Sequence, residues 1–109
     1  MRALPVIEAY NCAVAAVESQ MLELGTQAPQ FALPDPDGHI HELTPGANAY
    51  VVTFICNHCP FVIHVREELA LLGDNYGDKG VQIVALNSND VVGYPADSPE
   101  KMRKTAAEW

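Results

Sequence analysis

The amino-acid sequence predicts one α/β domain built on a parallel β-sheet. Its 109 residues suffice for a single domain. Two apolar runs, residues 49–56 and 81–86, are rich in β-branched residues, which is typical of strands buried on both faces of a parallel sheet. A segment with helical periodicity separates them. A strand–helix–strand unit of this kind makes the two strands a right-handed parallel pair.

The N-terminal region, residues 1–25, is predicted to hold an amphipathic helix over residues 6–24, with residues 26–109 as the α/β domain. Apolar residues recur there at spacings of three and four, at Ile7, Tyr10, Val14, Val17, Met21 and Leu24. Gly25 is suited to end this helix. The apolar stripe can pack on its own domain or form a subunit contact. Cys12 lies off the stripe and is expected to be inert.

A β-hairpin is predicted between residues 28 and 44. Two short apolar segments flank a Pro-Asp-Pro-Asp-Gly turn at residues 34–38, where proline presets φ and Gly38 can take a positive φ. His39 and His41 share one face of the second strand. No further ligands lie nearby in the sequence, so we expect a solvated face rather than a metal site.

Two further helices complete the predicted order. The first follows Asn57, with Pro60 in its first turn and an inward stripe of Phe61, Val65, Leu69 and Leu72. A polar loop then follows the second apolar strand. Ser98 is the predicted N-cap of the last helix, which starts at Pro99 and runs to Trp109.

Composition excludes several classes of protein. The chain is 49% hydrophobic and 18% charged, which is unlike a disordered protein. Six basic against fourteen acidic residues give a net charge of −8, which argues against nucleic-acid binding. No apolar run is long enough to span a membrane, and no secretory signal is apparent. Three cysteines are too few for a disulfide scaffold, so a reducing cytoplasm is the predicted location.

The sequence Cys56-Asn57-His58-Cys59 lies where the first apolar strand gives way to the helix. Unpaired N–H groups at a helix N-terminus stabilise a thiolate, so we expect a lowered pKa for an exposed Cys56 and a more buried Cys59. The spacing allows a disulfide between them, and the pattern predicts thiol–disulfide exchange. A charged His58 would favour the thiolate further and make the pair more oxidising.

A metal site is the competing hypothesis. Cys56, Cys59, His58 and His64 could supply four ligands. Structural zinc sites usually take a second ligand pair from a distant segment, and the sequence has no second Cys-x-x-Cys. Redox chemistry is therefore preferred, with no metal and no cofactor beyond a dithiol electron donor.

Three stretches, residues 24–38, 52–62 and 84–100, resemble the thioredoxin-like superfamily. They are most similar to its redoxin branch of alkyl-hydroperoxide-reductase and thiol-specific-antioxidant type proteins. The resemblance implies that Cys56 is the nucleophile and Cys59 the resolving thiol. Within that site, Asn57 and His58 would tune the pair, and four neighbours would shape it: Thr53, Phe54, Pro60 and Phe61.

Two departures from the family pattern refine the expected activity. The peroxiredoxin motif Pro-x-x-x-Thr-x-x-Cys is only half present, because Ala49 holds the proline position, and Asn57 replaces the proline that usually follows the cysteine. A disulfide substrate is therefore preferred, with peroxide reduction and a non-catalytic assembly module as alternatives.

The resemblance also implies a β-hairpin and a helix beyond residue 109, beginning with a cis-proline strand that faces the cysteines. None of the eight prolines can fill that place. The sequence thus predicts a thioredoxin-like fold that stops before the strand, as a short protein or a fragment. The strand at residues 49–56 would keep a bare edge, which predicts a homodimer through that edge.

Overall fold

The computed structural model describes residues 6–8 and 19–109, which form a mixed α/β fold. The elements in these ranges are β1 (Val6–Glu8), β2 (Ala32–Pro34), β3 (Ile40–Glu42), β4 (Ala49–Phe54), α1 (Pro60–Tyr76), β5 (Val81–Asn87) and α2 (Pro99–Ala107), with short 3-10 turns at Gly77–Lys79 and Pro95–Asp97. The strands form a three-stranded sheet of order β1-β5-β4 and a separate β2–β3 hairpin.

The predicted parallel pair is present, with β5 at the centre of the larger sheet. Val51 lies opposite Ile83, and Thr53 lies opposite Ala85. The Ile55 N–H donates to the Leu86 carbonyl at 2.8 Å, which extends the pairing almost to Cys56. The position of Cys56 is therefore fixed by the sheet.

β4 is not buried on both faces, contrary to the expectation for a parallel strand. Tyr50, Val52 and Phe54 share one exposed face, and Phe54 is 66% exposed. The corresponding face of β5 is covered, because Val84 and Leu86 pack against the hairpin side. The hairpin thus covers the central strand and leaves β4 open.

The prediction of an N-terminal helix over residues 6–24 is wrong at both ends of that range, which are the parts of it that the structure describes. Residues 6–8 form β1, which pairs in parallel with β5 on the side away from β4. Val6 lies opposite Ala85. Residues 19–23 have no helical structure, and Gly25 lies in a turn with φ 88°. Pairing with an open sheet edge outweighs helical periodicity at Val6 and Ile7, which are β-branched. Residues 9–18, including Cys12, lie outside the described part of the chain.

The hairpin is confirmed, and its turn is organised by Asp35. The carboxylate accepts hydrogen bonds from the backbone N–H groups of Asp37 and His39. Ring nitrogens of His39 and His41 lie 3.3 and 2.9 Å from its Oδ2. These histidines are therefore bound to the turn carboxylate rather than simply solvated. Gly38 adopts φ 87°, as the turn requires.

Two apolar clusters lie on opposite faces of the central strand β5. On one face, Val84 and Leu86 contact three residues of the hairpin region, Phe31, Leu33 and Leu43. On the other face, the cluster joins the sheet to both helices through Ile55, Ala85, Met102 and Trp109, with Val62, Leu69, Ala70 and Ala106 against them. Residues 55 and 85 thus anchor the helices beside the cysteine motif.

The helix α1 begins at Pro60 as predicted, but its inward face differs from the predicted stripe. Val62, Leu69 and Ala70 contact the core, whereas Phe61 is 81% exposed and Val65 is also exposed. The first turns of α1 are apolar around much of their circumference, so periodicity alone does not fix the rotation. Contact with the cluster containing Ile55 and Trp109 fixes it.

The last helix, α2, follows Ser98 as predicted. The Ser98 side chain makes no capping hydrogen bond, although its carbonyl accepts from the Met102 N–H at 2.9 Å. The Arg103 guanidinium reaches across to the hairpin turn, where Nε lies 2.7 Å from Asp37. No helix in the described residues is long and apolar enough to cross a membrane.

The Asp35 turn predicts a stability change at acidic pH. Burial opposes the charge of Asp35, but hydrogen bonds from His41 and from the backbone of His39 and Asp37 outweigh it, lowering the pKa from 3.8 to about 2. The stabilisation is complete above pH 3.8 and is lost as pH falls through about 2. In Asp35→Asn, we expect a loss of about 1–2 kcal/mol in unfolding free energy at pH 7, and a smaller decline below pH 4 than in the wild type.

Urea unfolding at a series of pH values measures this effect. Asp78→Asn, at an exposed position, is the matched control and should follow the wild-type curve. Parallel curves for Asp35→Asn and the wild type from pH 4 to pH 2 would contradict the assignment.

Candidate active site

The four motif residues lie in the short connection between β4 and α1. Cys59 has extended backbone angles, φ −75° and ψ 118°, and is the N-cap of α1. Its carbonyl accepts the Ile63 N–H at 3.1 Å. Pro60 occupies the first helical position, where its missing N–H costs no hydrogen bond. Sheet pairing on one side and the helix start on the other therefore fix this connection.

The two thiols are free. Cys56 and Cys59 are both half-buried, so the predicted contrast between an exposed and a buried cysteine is not present. The Cys59 backbone N–H and the Asn89 side chain each act to lower the pKa of the Cys56 thiol. The N–H at the start of α1 therefore favours the Cys56 thiolate.

The pKa of Cys56 is nevertheless raised, and the expectation of a lowered value is wrong. Burial is the largest cause, and the negative charges of Asp97 and Cys59 add to it. The hydrogen bonds from the Cys59 N–H and the Asn89 side chain act in the opposite direction without offsetting the rise. At Cys56, burial and the facing carboxylate therefore outweigh the lowering of the thiol pKa by the helix N-terminus.

The carboxylate that faces Cys56 belongs to Asp97, a residue that sequence analysis did not identify as functional. Asp97 is fully buried at the end of the second 3-10 turn. It accepts hydrogen bonds from the Asn57 N–H at 2.6 Å, His58 Nδ1 at 2.6 Å and Asn89 Nδ2 at 2.9 Å. The only feature of Asp97 in the sequence is its position two residues before Pro99. A surface aspartate near the start of a helix has the same position, so the sequence does not distinguish the two cases.

Further contacts attach the motif to the segment between β5 and α2. Asn57 Nδ2 donates to the Ala96 carbonyl at 2.8 Å, and Asn87 Nδ2 donates to the Asp97 carbonyl at 2.9 Å. The His58 ring stacks on Tyr94 with centroids 4.4 Å apart and an interplanar angle of 4°. Asn57 and His58 are thus held in place by contacts nearly forty residues away along the chain.

The remaining predicted site residues surround the motif less closely. Thr53 is half-buried in β4, with its hydroxyl 3.5 Å from the Val84 carbonyl. Phe54 and Phe61 are exposed on either side of the motif. His64 is exposed on α1 and does not join the potential ligand group of Cys56, His58 and Asp97, whose ligand atoms lie within 4.8 Å of one another. The four-ligand set proposed for a metal site is therefore not assembled.

A cleft of about 320 Å³ opens beside Cys56, between the first half of α1 and α2. Its lining combines apolar residues, Val62, Ile63 and Trp109, with basic residues, Arg66, Lys101 and Lys104. Trp109 is the single tryptophan of the chain. The Cys56 region is therefore adjacent to a space large enough for a small molecule.

Comparison with known proteins identifies structural relatives only. No family model matches the chain, and no curated protein matches it. It is similar to the crystal structure of an uncharacterized conserved protein from Geobacillus kaustophilus, with 52% identity, a TM-score of 0.79 and coverage of 89% of this chain and 53% of that one. It is also similar to a hypothetical protein from Sinorhizobium meliloti 1021, with 36% identity, a TM-score of 0.77 and coverage of 82% and 50%. The chain spans about half the length of each.

The Asp97 carboxylate predicts how the acidity of Cys56 responds to substitution. Asp97→Asn removes a negative charge that raises the pKa of Cys56, so the pKa should fall. Iodoacetamide alkylation of Cys56, followed by mass spectrometry of the Cys56 peptide across a pH series, measures it. In the wild type, the alkylation rate of Cys56 should still rise with pH in the range where the alkylation rate of a free cysteine peptide is already constant.

Asp90→Asn is the matched control, since Asp90 lies in the same loop and caps the N–H groups of Val92 and Gly93. It should leave the Cys56 profile unchanged. A wild-type midpoint below that of the peptide would show that the helix N-terminus outweighs burial after all.

Proposed function

We propose that the protein is a thiol–disulfide oxidoreductase of thioredoxin-like fold that acts in a reducing cytoplasm through Cys56 and Cys59. One observation carries the proposal: two free, half-buried thiols lie three residues apart at the start of α1, where Cys59 is the N-cap residue. The β-hairpin, the parallel sheet and the helix that follows the cysteines are consistent with the thioredoxin-like resemblance.

The proposed reaction is a two-electron exchange. The Cys56 thiolate attacks one sulfur of a substrate disulfide, forming a mixed disulfide and releasing the first substrate thiolate. The Cys59 thiolate then attacks the Cys56 sulfur, forming the Cys56–Cys59 disulfide and releasing the second substrate thiolate. The protein dithiol is oxidised, the substrate disulfide is reduced, and a dithiol donor restores the starting state.

The environment of Cys56 favours the reducing direction. Burial and the charge of Asp97 disfavour the Cys56 thiolate, and a thiolate that is disfavoured is a poor leaving group from its own disulfide. The Cys56–Cys59 pair would therefore donate electrons readily. This direction is opposite to the one expected from a charged His58, whose Nδ1 lies 2.6 Å from Asp97.

Insulin reduction with dithiothreitol as donor tests the proposal. Cys56→Ser should lower the catalysed rate to background, a loss of at least about 100-fold. Cys59→Ser should instead accumulate a mixed disulfide on Cys56, visible by intact mass. Cys12→Ser, which keeps both motif cysteines, is the control and should retain the wild-type rate.

The same variants separate the alternatives. Cys56-dependent consumption of hydroperoxide without insulin reduction would favour a peroxidase. Equal insulin reduction by the wild type and Cys56→Ser would contradict the proposal and favour a non-catalytic module.

We further propose that the protein forms a homodimer through the outer edge of β4. That edge has no partner strand in the described residues, and the adjoining face exposes Tyr50, Val52 and Phe54. An open, apolar edge strand is an association site, and pairing of two such edges gives one continuous sheet.

Light scattering at tens of micromolar measures the assembly. Val52→Lys should shift a dimer towards the monomer, whereas Val92→Lys, at an 85% exposed loop position, should leave it intact. A wild-type monomer under these conditions would exclude the dimer.

A further inference from the structure

The cleft beside Cys56 has an unusual charge for this protein. The three charged residues that line it are all basic, Arg66 on α1 and Lys101 and Lys104 on α2. They are three of only six basic residues in a chain of net charge −8. Half of the positive charge in the sequence is therefore gathered at one opening.

These cations are largely free to meet a ligand. Lys104 forms an exposed pair with Glu100 at 3.5 Å, a type of contact that contributes little. Within the described residues, Arg66 and Lys101 form no ion pair. Asp97 is nearby but is fully buried and already accepts three hydrogen bonds. The accessible charge of the cleft is therefore positive.

Three apolar residues also line the cleft: Val62, Ile63 and Trp109. A ligand with a short aliphatic chain and a terminal oxygen anion matches this combination of basic and apolar residues. A volume of about 320 Å³ lies at the small end of ligand pockets, which favours a small molecule over a folded partner.

We propose that this cleft selects small disulfides that carry carboxylates, with the disulfide presented to Cys56 and the carboxylates to Arg66, Lys101 and Lys104. The inference rests on the proposed oxidoreductase function and names its substrate class. Each turnover converts one disulfide dianion and the protein dithiol into two carboxylate-bearing thiols and the Cys56–Cys59 disulfide. No other reactant enters this half-reaction.

Three disulfides with nearly the same skeleton test the charge preference: 3,3′-dithiodipropionate, a dianion; bis(2-hydroxyethyl) disulfide, neutral; and cystamine, a dication. For each disulfide, the rate at which it oxidises the reduced protein is divided by the rate at which it oxidises dithiothreitol. This normalisation corrects for differences in the intrinsic reactivity of the three disulfides. At low salt, the normalised rate for the dianion should exceed that for the dication by roughly tenfold or more. The preference should shrink in 0.5 M NaCl, where screening is strong.

Variants assign the preference to the cleft. Arg66→Gln and Lys101→Gln should each lower the dianion-to-neutral rate ratio by about threefold. Lys79→Gln is the matched control, because Lys79 lies over the Tyr76 ring on the turn after α1, away from the cleft. It should leave the ratio unchanged.

The outcomes separate the two proposals. Equal normalised rates for all three disulfides, or a ratio that Arg66→Gln and Lys101→Gln do not change, would overturn the substrate class and leave the oxidoreductase function standing. Failure of every disulfide to oxidise the dithiol would overturn the oxidoreductase function itself.

Discussion

The buried carboxylate of Asp97 holds the cysteine motif to the rest of the molecule. Burying a charge is costly unless it is hydrogen-bonded, and here the Asn57 N–H, His58 and Asn89 provide three bonds. Asp97 in turn is placed by the turn between β5 and α2, so the position of the Cys56–Cys59 connection depends on a segment far away in the sequence. Without this contact, Asn57 and His58 would be held only by the Asn57 bond to the Ala96 carbonyl and by stacking of His58 on Tyr94.

The same carboxylate also affects the acidity of Cys56. It lies close enough to Cys56 to add to the effect of burial and raise the pKa of the thiol, whereas the N–H at the start of α1 works in the opposite direction. The position of the Cys56–Cys59 connection and the acidity of Cys56 are therefore linked, because the Asp97 carboxylate that holds this connection also disfavours the Cys56 thiolate. For the proposed exchange reaction, such surroundings would favour the reduction of disulfides over their formation.

Local sequence patterns predicted the elements whose structure is decided locally. The Pro34–Gly38 turn, the run of β5 and the start of α1 at Pro60 all follow from residue type and spacing. The rotation of α1 did not, because Phe61 and Val62 are both apolar and only packing on Ile55 and Trp109 distinguishes them. The strand at Val6–Glu8 depends on an open edge of β5, and Asp97 gains its role from contacts about forty residues distant. Neither is encoded in a short window of sequence.

Trp109 gives the molecule a built-in optical probe. It is the single tryptophan of the chain and forms part of the wall of the space that opens beside Cys56. Indole emission responds to the polarity and mobility of its surroundings, so occupancy of this space and changes at the neighbouring sulfur can be followed in unlabelled protein. One fluorophore at one place makes such a signal directly interpretable.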